Sequence, residues 1–130
     1  MILTSQIILY VEDQHRSTVF YTAVLQQAPR LFVPGMTEFE LTNGAILGLM
    51  PTTGIVRLLG EHLPAGTQPS GLLRAELYLL VDDPPAYFQR ALTAGAQHLS
   101  DLAPRDWGDE AAYCLDPDGH VLAFAAVLRV

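Results

Sequence analysis

Residues 6–13 read QIILYVED, and residues 76–83 read ELYLLVDD. Each segment is a short run of apolar residues rich in strand formers that ends in two acids, which is typical of a strand followed by a helix cap. The offset between the two segments is 70 residues at both ends. A repeat of this length predicts two copies of one structural unit.

A helix is predicted after each of these strands. Asp13 and Asp83 are good N-cap residues, and Pro84 stands at the first helical position, where its missing N–H costs nothing. Gly95 is the residue type that commonly follows the last turn of a helix. Apolar residues at helical spacing predict one buried face per helix, formed by Phe20, Ala23 and Val24 in the first and by Phe88, Ala91 and Leu92 in the second.

A hairpin is predicted near the end of each half. In the first half, Glu38–Leu41 alternates polar and apolar residues, Asn43-Gly44 is a turn signal, and Ala45–Met50 is the returning strand. Hairpins after a helix predict mixed rather than purely parallel sheets. The corresponding segments of the second half are Ala111–Leu115, Asp116–Gly119 and Val121–Val127.

The sequence therefore predicts one α+β domain made of two βαβββ modules. The first module is assigned to residues 1–59 and the second to residues 73–130, with residues 60–72 as a linker loop rich in Pro and Gly. The turn glycines Gly44 and Gly119 differ by 75, so the second half has five extra residues before its last hairpin. We expect these in the loop around Pro104–Gly108.

The charge balance argues against several classes of partner. Seven arginines and no lysine stand against fourteen acids, which gives a net charge of −7. Nucleic acid is not expected as a partner, because phosphate recognition needs a basic surface. The lack of lysine excludes Schiff-base chemistry and a P-loop. An acidic balance favours solubility and, through the summed field, cationic ligands.

The single cysteine and the apolar runs indicate the compartment. Cys114 lies between Tyr113 and Leu115, so we expect a buried, unreactive thiol rather than a nucleophile. No apolar stretch is long enough to cross a bilayer, and no cleavable leader is visible. We therefore expect a cytoplasmic protein without a membrane partner.

Several motifs, taken in order, resemble the vicinal oxygen chelate superfamily, which includes glyoxalase I, the bleomycin resistance proteins and the extradiol dioxygenases. Val11-Glu12-Asp13 followed by Phe20-Tyr21 resembles the first module of that superfamily. Val81-Asp82-Asp83, Trp107-Gly108 and Asp116–His120 resemble the second module. The resemblance covers nearly the whole chain, and it implies that the two modules pair to form a cup of curved mixed sheet.

The resemblance also implies where active members bind a divalent metal. Their four ligand positions, two per module, correspond here to Gln6, Gly48, Glu76 and Ala123. Gly48 and Ala123 have no ligand atom and Gln6 is a weak neutral ligand, so a single carboxylate remains. We therefore expect no metal and no other cofactor. Loop histidines such as His62, His98 and His120 are the candidates for a relocated site, although His120 is better explained as a hairpin residue.

Strand alternation predicts that the cup is lined by apolar and aromatic residues with one acid and one amide, which is typical of a pocket for an organic ligand. Glu76 is a candidate counter-charge for a cation; alternatively it pairs with an arginine such as Arg74 or faces solvent. Trp107 is a candidate stacking surface or a packing residue. No catalytic residue is assigned. The predicted ligand-binding residues are Gln6, Tyr10, Gly48, Met50, Glu76, Tyr78, Trp107 and Ala123.

The sequence favours a metal-independent protein that binds a small organic ligand, as the antibiotic-sequestering branch of the superfamily does, with cationic ligands among the candidates. It favours a binding protein over an enzyme, and the resemblance implies a homodimer. Two alternatives remain open. One is a metal-dependent lyase, isomerase or dioxygenase with a relocated metal site. The other is an accessory protein with a vestigial cup, in which Tyr10, Tyr78 and Met50 pack together.

Overall fold

The computed structural model describes residues 1–62 and 75–129, which form two four-stranded sheets and three helices. The first module contains β1 (Ser5–Val11), α1 (Gln14–Leu25), β2 (Leu31–Val33), β3 (Met36–Glu40), β4 (Ala45–Pro51) and α2 (Thr52–Leu59), with 3₁₀ turns at Thr42–Gly44 and Gly60–His62. The second module contains β5 (Glu76–Leu80), α3 (Pro84–Thr93), β6 (Gln97–Pro104), β7 (Asp109–Leu115) and β8 (Val121–Val127).

The two sheets have the same topology. Their strand orders are β1-β4-β3-β2 and β5-β8-β7-β6. The first and last strands of each module are parallel neighbours, and the other pairs are antiparallel. The predicted α+β class, the mixed sheets and the two βαβββ modules are therefore confirmed. The chain divides into two compact units, one built on each sheet. Residues 63–72 of the predicted linker lie outside the described residues, so its boundaries remain a prediction.

The helix starts follow the sequence signals. Asp13 caps α1, since its Oδ1 accepts a 2.9 Å hydrogen bond from the Arg16 N–H. Asp83 caps α3 through the Ala86 N–H at 3.2 Å, with Pro84 in the first turn. Both N-cap predictions are confirmed.

The end of α3 also follows its sequence signal. Gly95 has a φ of +110°, a conformation that glycine adopts without a steric penalty. Its N–H donates to the Leu92 carbonyl at 3.1 Å, and the Ala96 N–H donates to the Ala91 carbonyl at 2.9 Å. This pair of hydrogen bonds is the Schellman pattern, so the predicted end of the helix is confirmed.

The buried face of α1 differs from the predicted one. Phe20 and Val24 are buried as expected, but Ala23 is exposed. The buried stripe runs through Ser17 and Tyr21 instead, at positions i, i+4 and i+7 with Val24. Ala23 lies more than a quarter-turn away from that stripe, because each helical residue advances about 100°.

The hairpins are confirmed, but the extra residues are not where we expected them. Asn43 and Gly44 both have positive φ, and the Leu41 N–H donates to the Ala45 carbonyl at 2.6 Å across the turn. In the second module, β6 has eight residues where β2 has three, and β6 shifts register twice against β7. Most of the additional length therefore lies in a strand rather than in the loop Pro104–Gly108.

Candidate functional site

Each sheet has one face covered by its own helix. Tyr21 of α1 lies against Phe39, with 6.4 Å between ring centroids, and Tyr87 of α3 lies 5.8 Å from Phe124. Residues alternate along a strand, so the residues next to Phe39 and Phe124 face the other way. We call these opposite faces the first and second site faces. The predicted ligand-binding residues of the strands stand on them, namely Gln6, Tyr10, Gly48 and Met50 on the first and Glu76, Tyr78 and Ala123 on the second.

The strand register confirms the equivalence of the two modules at these positions. Ile8 is paired with Gly48, and its counterpart Tyr78 is paired with Ala123. On the first site face Tyr10 is opposite Met50 in register, and about half of the Tyr10 surface is exposed. The internal repeat therefore assigns Gly48 and Ala123 to equivalent positions in the two modules.

On the first site face, the side chain of Gln6 lies across Gly48. A Cβ built on Gly48 would stand 2.6 Å from Gln6 Nε2 and 3.1 Å from Ile8 Cγ1. The amide of Gln6 therefore fills the space that the absent side chain leaves at this glycine. The amide is held there because Nε2 donates a 3.1 Å hydrogen bond to Glu38 Oε2.

Glu38 is a residue of this face that the sequence analysis missed. It stands opposite Gly48 in register, and its side chain is 16% exposed. Arg30 donates to its Oε1 from both Nε and Nη2, each at 2.9 Å. The charge of Glu38 is thus paired, and the carboxylate orients the Gln6 amide. The strand alternation places Glu38 on a face, but only the register shows that it is beside Gly48.

On the second site face, three side chains form a hydrogen-bonded cluster. The Tyr78 hydroxyl donates to Asp109 Oδ2 at 2.6 Å and accepts from Trp107 Nε1 at 3.0 Å. Burial and the hydrogen bond to Asp109 raise the pKa of Tyr78, and the bond from Trp107 opposes that change. More than half of the Trp107 surface is exposed. We call Tyr78, Trp107 and Asp109 the aromatic cluster.

Tyr113 adds a second phenol beside two carboxylates. It is paired with Ala123 in register, and Ala123 lies between Tyr113 and Tyr78 on the same face. Burial raises the pKa of Tyr113, and the charges of Glu76 and Asp109 raise it further, while Arg105 opposes them. Glu76, predicted from sequence, therefore acts electrostatically on Tyr113, and so does Asp109; neither Tyr113 nor Asp109 was predicted. Arg74, a suggested partner of Glu76, lies outside the described residues.

Arg105 supports the turn that carries Trp107. Its guanidinium donates to the Ala111 carbonyl at 2.7 and 3.2 Å and to Ser100 Oγ at 3.0 Å, and it lies 5.2 Å from the centre of the Tyr113 ring. The Arg105 N–H also closes the turn onto the Asp109 carbonyl at 2.7 Å. Trp107 therefore lies in a four-residue turn, residues 105–108, that the hydrogen bonds of Arg105 hold in place.

The side chains at the family metal positions do not fit a divalent cation. Gly48 and Ala123 supply no donor, and the Gln6 amide is engaged with Glu38. Within residues 1–62 and 75–129, no group of three or more His, Cys, Asp or Glu side chains is arranged to hold a metal.

Two of the histidines named as relocated ligands have other partners. His98 contacts Asp101 at 2.7 Å. His120 Nδ1 is 2.8 Å from Asp116 Oδ2, and Asp116 Oδ1 accepts from the N–H groups of Asp118 and His120 at 2.9 and 2.8 Å. The bond to Asp116 raises the pKa of His120, with a smaller opposing effect from burial. The predicted hairpin role of His120 is confirmed.

Cys114 is not part of either site face. Its side chain is fully buried, and burial together with the charge of Asp116 raises the pKa of the thiol to about 11. The prediction of a buried thiol is confirmed. A thiol with this pKa is almost entirely protonated near neutral pH and is a poor nucleophile.

Comparison with known proteins identifies the family. The family model described as glyoxalase-like domain matches residues 6–125. The chain therefore belongs to the glyoxalase-like domain family, within the vicinal oxygen chelate superfamily that its motifs resemble. Its curated relatives include uncharacterized proteins of Mycobacterium bovis and Mycobacterium tuberculosis. Both are 29% identical over 116 residues, which cover 86% of this chain and 75% and 67% of theirs.

Solved structures agree on the fold. A glyoxalase-related enzyme from Fulvimarina pelagi superposes with a TM-score of 0.78 at 22% identity, covering 97% of this chain and 88% of the other. A glyoxalase/bleomycin resistance protein/dioxygenase from Nocardioides gives a TM-score of 0.76 at 23% identity, covering 99% and 85%. At these identities the similarity establishes the fold alone. Separately, none of the helices in the described part of the chain has the length and hydrophobicity to span a membrane.

Proposed function

We propose that this protein binds a small organic ligand without a metal, and that the aromatic cluster of the second module is the principal contact surface. The observation that carries the proposal is the hydrogen-bonded set of Trp107, Tyr78 and Asp109. A half-exposed indole held in place by a neighbouring phenol is a preformed stacking surface. A ligand that binds a preformed surface pays a smaller ordering cost.

The charges of this face favour a ligand with a cationic group. Asp109 accepts the hydrogen bond of the Tyr78 hydroxyl, and the negative charges of Glu76 and Asp109 both raise the pKa of Tyr113. Aromatic rings and carboxylates together bind ammonium and guanidinium groups well. The net charge of −7 supports the encounter with a cation over a longer range. On the first site face, by contrast, the charge of Glu38 is already paired with Arg30, and the Gln6 amide is neutral. This face therefore offers a ligand a neutral amide rather than a carboxylate.

The donor set is the reason for proposing a metal-free site. A divalent cation needs several oxygen or imidazole ligands, whereas each module offers at most one such side chain at the two family positions. The same observation supports a binding protein over an enzyme. Tyr78 is a weak acid here, since its pKa is raised, and its hydroxyl already donates to Asp109.

The other expectations stand as proposals beside this one. A homodimer and a cytoplasmic location are retained from the sequence. The alternative of an enzyme with a relocated metal site is tested by metal analysis of protein purified without chelator. One equivalent of Zn, Ni, Mn or Fe per chain would support it. The vestigial accessory protein requires a packed Tyr10, whereas half of the Tyr10 surface is exposed.

The test uses the fluorescence of Trp107, which is the single tryptophan of the chain. Protein in excess EDTA is titrated with metal-free bleomycin, a cationic glycopeptide, and with a panel of aromatic amines and uncharged aromatic compounds. The proposal expects saturable changes in emission with at least one cationic ligand and weaker binding of its uncharged analogue. Tyr78→Phe should weaken binding, whereas the matched variant Tyr87→Phe, on the helix-covered side, should not. Absence of saturable binding across the whole panel would contradict the proposal.

A further inference from the structure

The polar hydrogens of the two aromatic side chains in the aromatic cluster are bound within the cluster itself. The indole N–H of Trp107 donates to the Tyr78 hydroxyl at 3.0 Å, and that hydroxyl donates to Asp109 Oδ2 at 2.6 Å. An indole has one N–H and a phenol has one O–H, so each ring uses its only polar hydrogen inside the cluster. A carboxylate or phosphate ligand would have to break one of these bonds to receive a hydrogen from either ring. The rings are therefore suited to a group that needs no donor from them.

The oxygens in contact with the rings already accept hydrogen bonds. The Tyr78 hydroxyl accepts from Trp107, Asp109 Oδ2 accepts from Tyr78, and the main-chain carbonyl of Asp109 accepts from the Arg105 N–H at 2.7 Å. A protonated amine needs acceptors for its N–H groups, and at Oδ2 it would compete with the short bond from the phenol. A quaternary ammonium group has no N–H, so it binds without disturbing these hydrogen bonds.

The second site face also carries negative charge. Asp109 is partly buried and Glu76 is exposed, and the charges of both raise the pKa of Tyr113. The hydrogen bond that Asp109 receives from Tyr78 comes from a neutral phenol and does not cancel the charge of the carboxylate. A cation is stabilised by this field whether or not it donates a hydrogen bond.

The chain places one of its own cations over a ring of this module. The guanidinium carbon of Arg105 lies 5.2 Å from the centre of the Tyr113 ring, which is within the range of cation–π attraction. The guanidinium donates to neutral oxygens, namely the carbonyls of Ala111 and Asp101 and the hydroxyl of Ser100. Arg105 is therefore an example, within this protein, of a cation that lies over a ring while its hydrogen bonds go to neutral groups.

Trp107 offers the corresponding ring to a ligand. Its side chain is 55% exposed, and tryptophan gives the strongest cation–π attraction of the aromatic residues. The hydrogen bond to Tyr78 fixes the orientation of the indole before a ligand arrives, which lowers the ordering cost of binding.

We propose that the aromatic cluster selects quaternary ammonium ligands, in which a permanently charged nitrogen carries methyl groups and no hydrogen. The methyl groups contact the exposed ring of Trp107, and the carboxylate of Asp109 stabilises the charge without a hydrogen bond to the ligand. This inference rests on the function proposed above. It narrows the ligand from cations in general to one chemical class.

The first test compares ligands that differ in a single property, with binding measured by calorimetry in excess EDTA at neutral pH. Benzyltrimethylammonium is compared with benzylammonium, which has the same ring and charge but three N–H groups. Choline is compared with the neutral isostere dimethylbutanol, in which carbon replaces the charged nitrogen. We expect benzyltrimethylammonium to bind about fivefold or more tightly than benzylammonium, and choline about tenfold or more tightly than the alcohol.

The second test removes the ring. Trp107→Leu should weaken the binding of benzyltrimethylammonium about tenfold or more, because the cation loses its aromatic contact. Phe32→Leu is the matched control, since Phe32 is an aromatic residue of β2 in the first module and is 51% exposed. It should leave the affinity within about twofold. Circular dichroism confirms that both variants are folded.

The outcomes separate this inference from the function on which it rests. If bleomycin or an aromatic amine binds, but the quaternary ligands bind no more tightly than their matched compounds, the inference is wrong and the proposed function stands. If Trp107→Leu keeps the affinity of the wild type for benzyltrimethylammonium, the cation is held elsewhere and both are wrong. Absence of saturable binding by every cation would also overturn both.

Discussion

The side-chain amide of Gln6 occupies the space beside Gly48, with Nε2 2.6 Å from the point where a Cβ would stand. In metal-binding relatives the position of Gly48 corresponds to a ligand residue, as the sequence resemblance implies. Here a neutral amide, held by Glu38, takes the place of that side chain. In the first module, the side chain of Gln6 therefore fills the space at one of the family's metal-ligand positions, Gly48.

The contact between Gln6 and Gly48 predicts coupling between substitutions at the two positions. In the Gln6→Ala background, Gly48→Ala should gain about 0.5–1 kcal/mol, because alanine restricts the unfolded strand more than glycine does. The cost of the 3.1 Å approach of the new Cβ to Ile8 Cγ1 is common to both backgrounds. In the wild type the new Cβ displaces the amide and breaks its bond to Glu38, which offsets about 0.5–1 kcal/mol of that gain. Urea unfolding of the double-mutant cycle measures the difference. Equal effects in both backgrounds would show that the amide does not occupy this space.

Asp109 sets the ionisation of Tyr78, and this predicts the behaviour of Asp109→Asn. Burial and the carboxylate of Asp109 raise the pKa of Tyr78 above its ordinary value of 10.0. Removing the charge should lower the pKa of Tyr78 towards that value, so one tyrosine should ionise at lower pH. Ultraviolet titration of tyrosinate, compared with Tyr78→Phe, measures this shift. The variant should also bind cationic ligands about five- to tenfold more weakly, which is about 1 kcal/mol. An unchanged tyrosine titration would contradict the geometry of the aromatic cluster.

The sequence was sufficient to predict those features whose conformation depends on residues close by in the chain. Asp13, Asp83 and the Asn43-Gly44 turn act on their own helix or hairpin, so their residue types predict the local conformation. The repeat then supplied the topology, because one module predicts the other. The helix α2 was not predicted, since Thr52, Thr53 and Gly54 are weak helix formers.

The candidate site was predicted only in part, because it depends on register between strands. Tyr78, Glu76 and Trp107 were found by alternation and residue type. Asp109 and Glu38 were not, because each is an ordinary polar residue in its own strand. They become site residues only when β3 pairs with β4 and when the β6–β7 turn carries Trp107 to Tyr78.

The His120–Asp116 pair predicts that stability decreases as the pH rises above about 6.5. The bond to buried Asp116 raises the pKa of His120 above its unfolded value of 6.5, so the charged imidazole stabilises the folded state. That contribution is complete below pH 6.5 and is lost as the pH rises through the higher pKa of the folded state. Urea unfolding at several pH values should show this decrease in the wild type and a smaller one in His120→Asn. The same pH dependence in both proteins would assign the effect to other groups.

The burial of Cys114 predicts a thiol that reacts only on unfolding. At pH 8 the folded protein should react with an aromatic disulfide reagent at least a hundredfold more slowly than in denaturant, because the side chain is fully buried and its pKa is about 11. The absorbance of the released thiolate measures both rates. A fast reaction of the folded protein would show that β7 opens readily.

Nuclear magnetic resonance of the Trp107 indole N–H shows whether the ligand surface needs a metal. This chain gives a single indole signal, and that N–H donates to Tyr78. Labelled protein in excess EDTA is titrated with metal-free bleomycin and with the panel of aromatic amines. We expect a saturable shift of the indole signal with at least one cationic ligand while the chelator is present. A signal that no ligand moves, or one that moves only after Zn, Ni, Mn or Fe is supplied, would contradict this expectation.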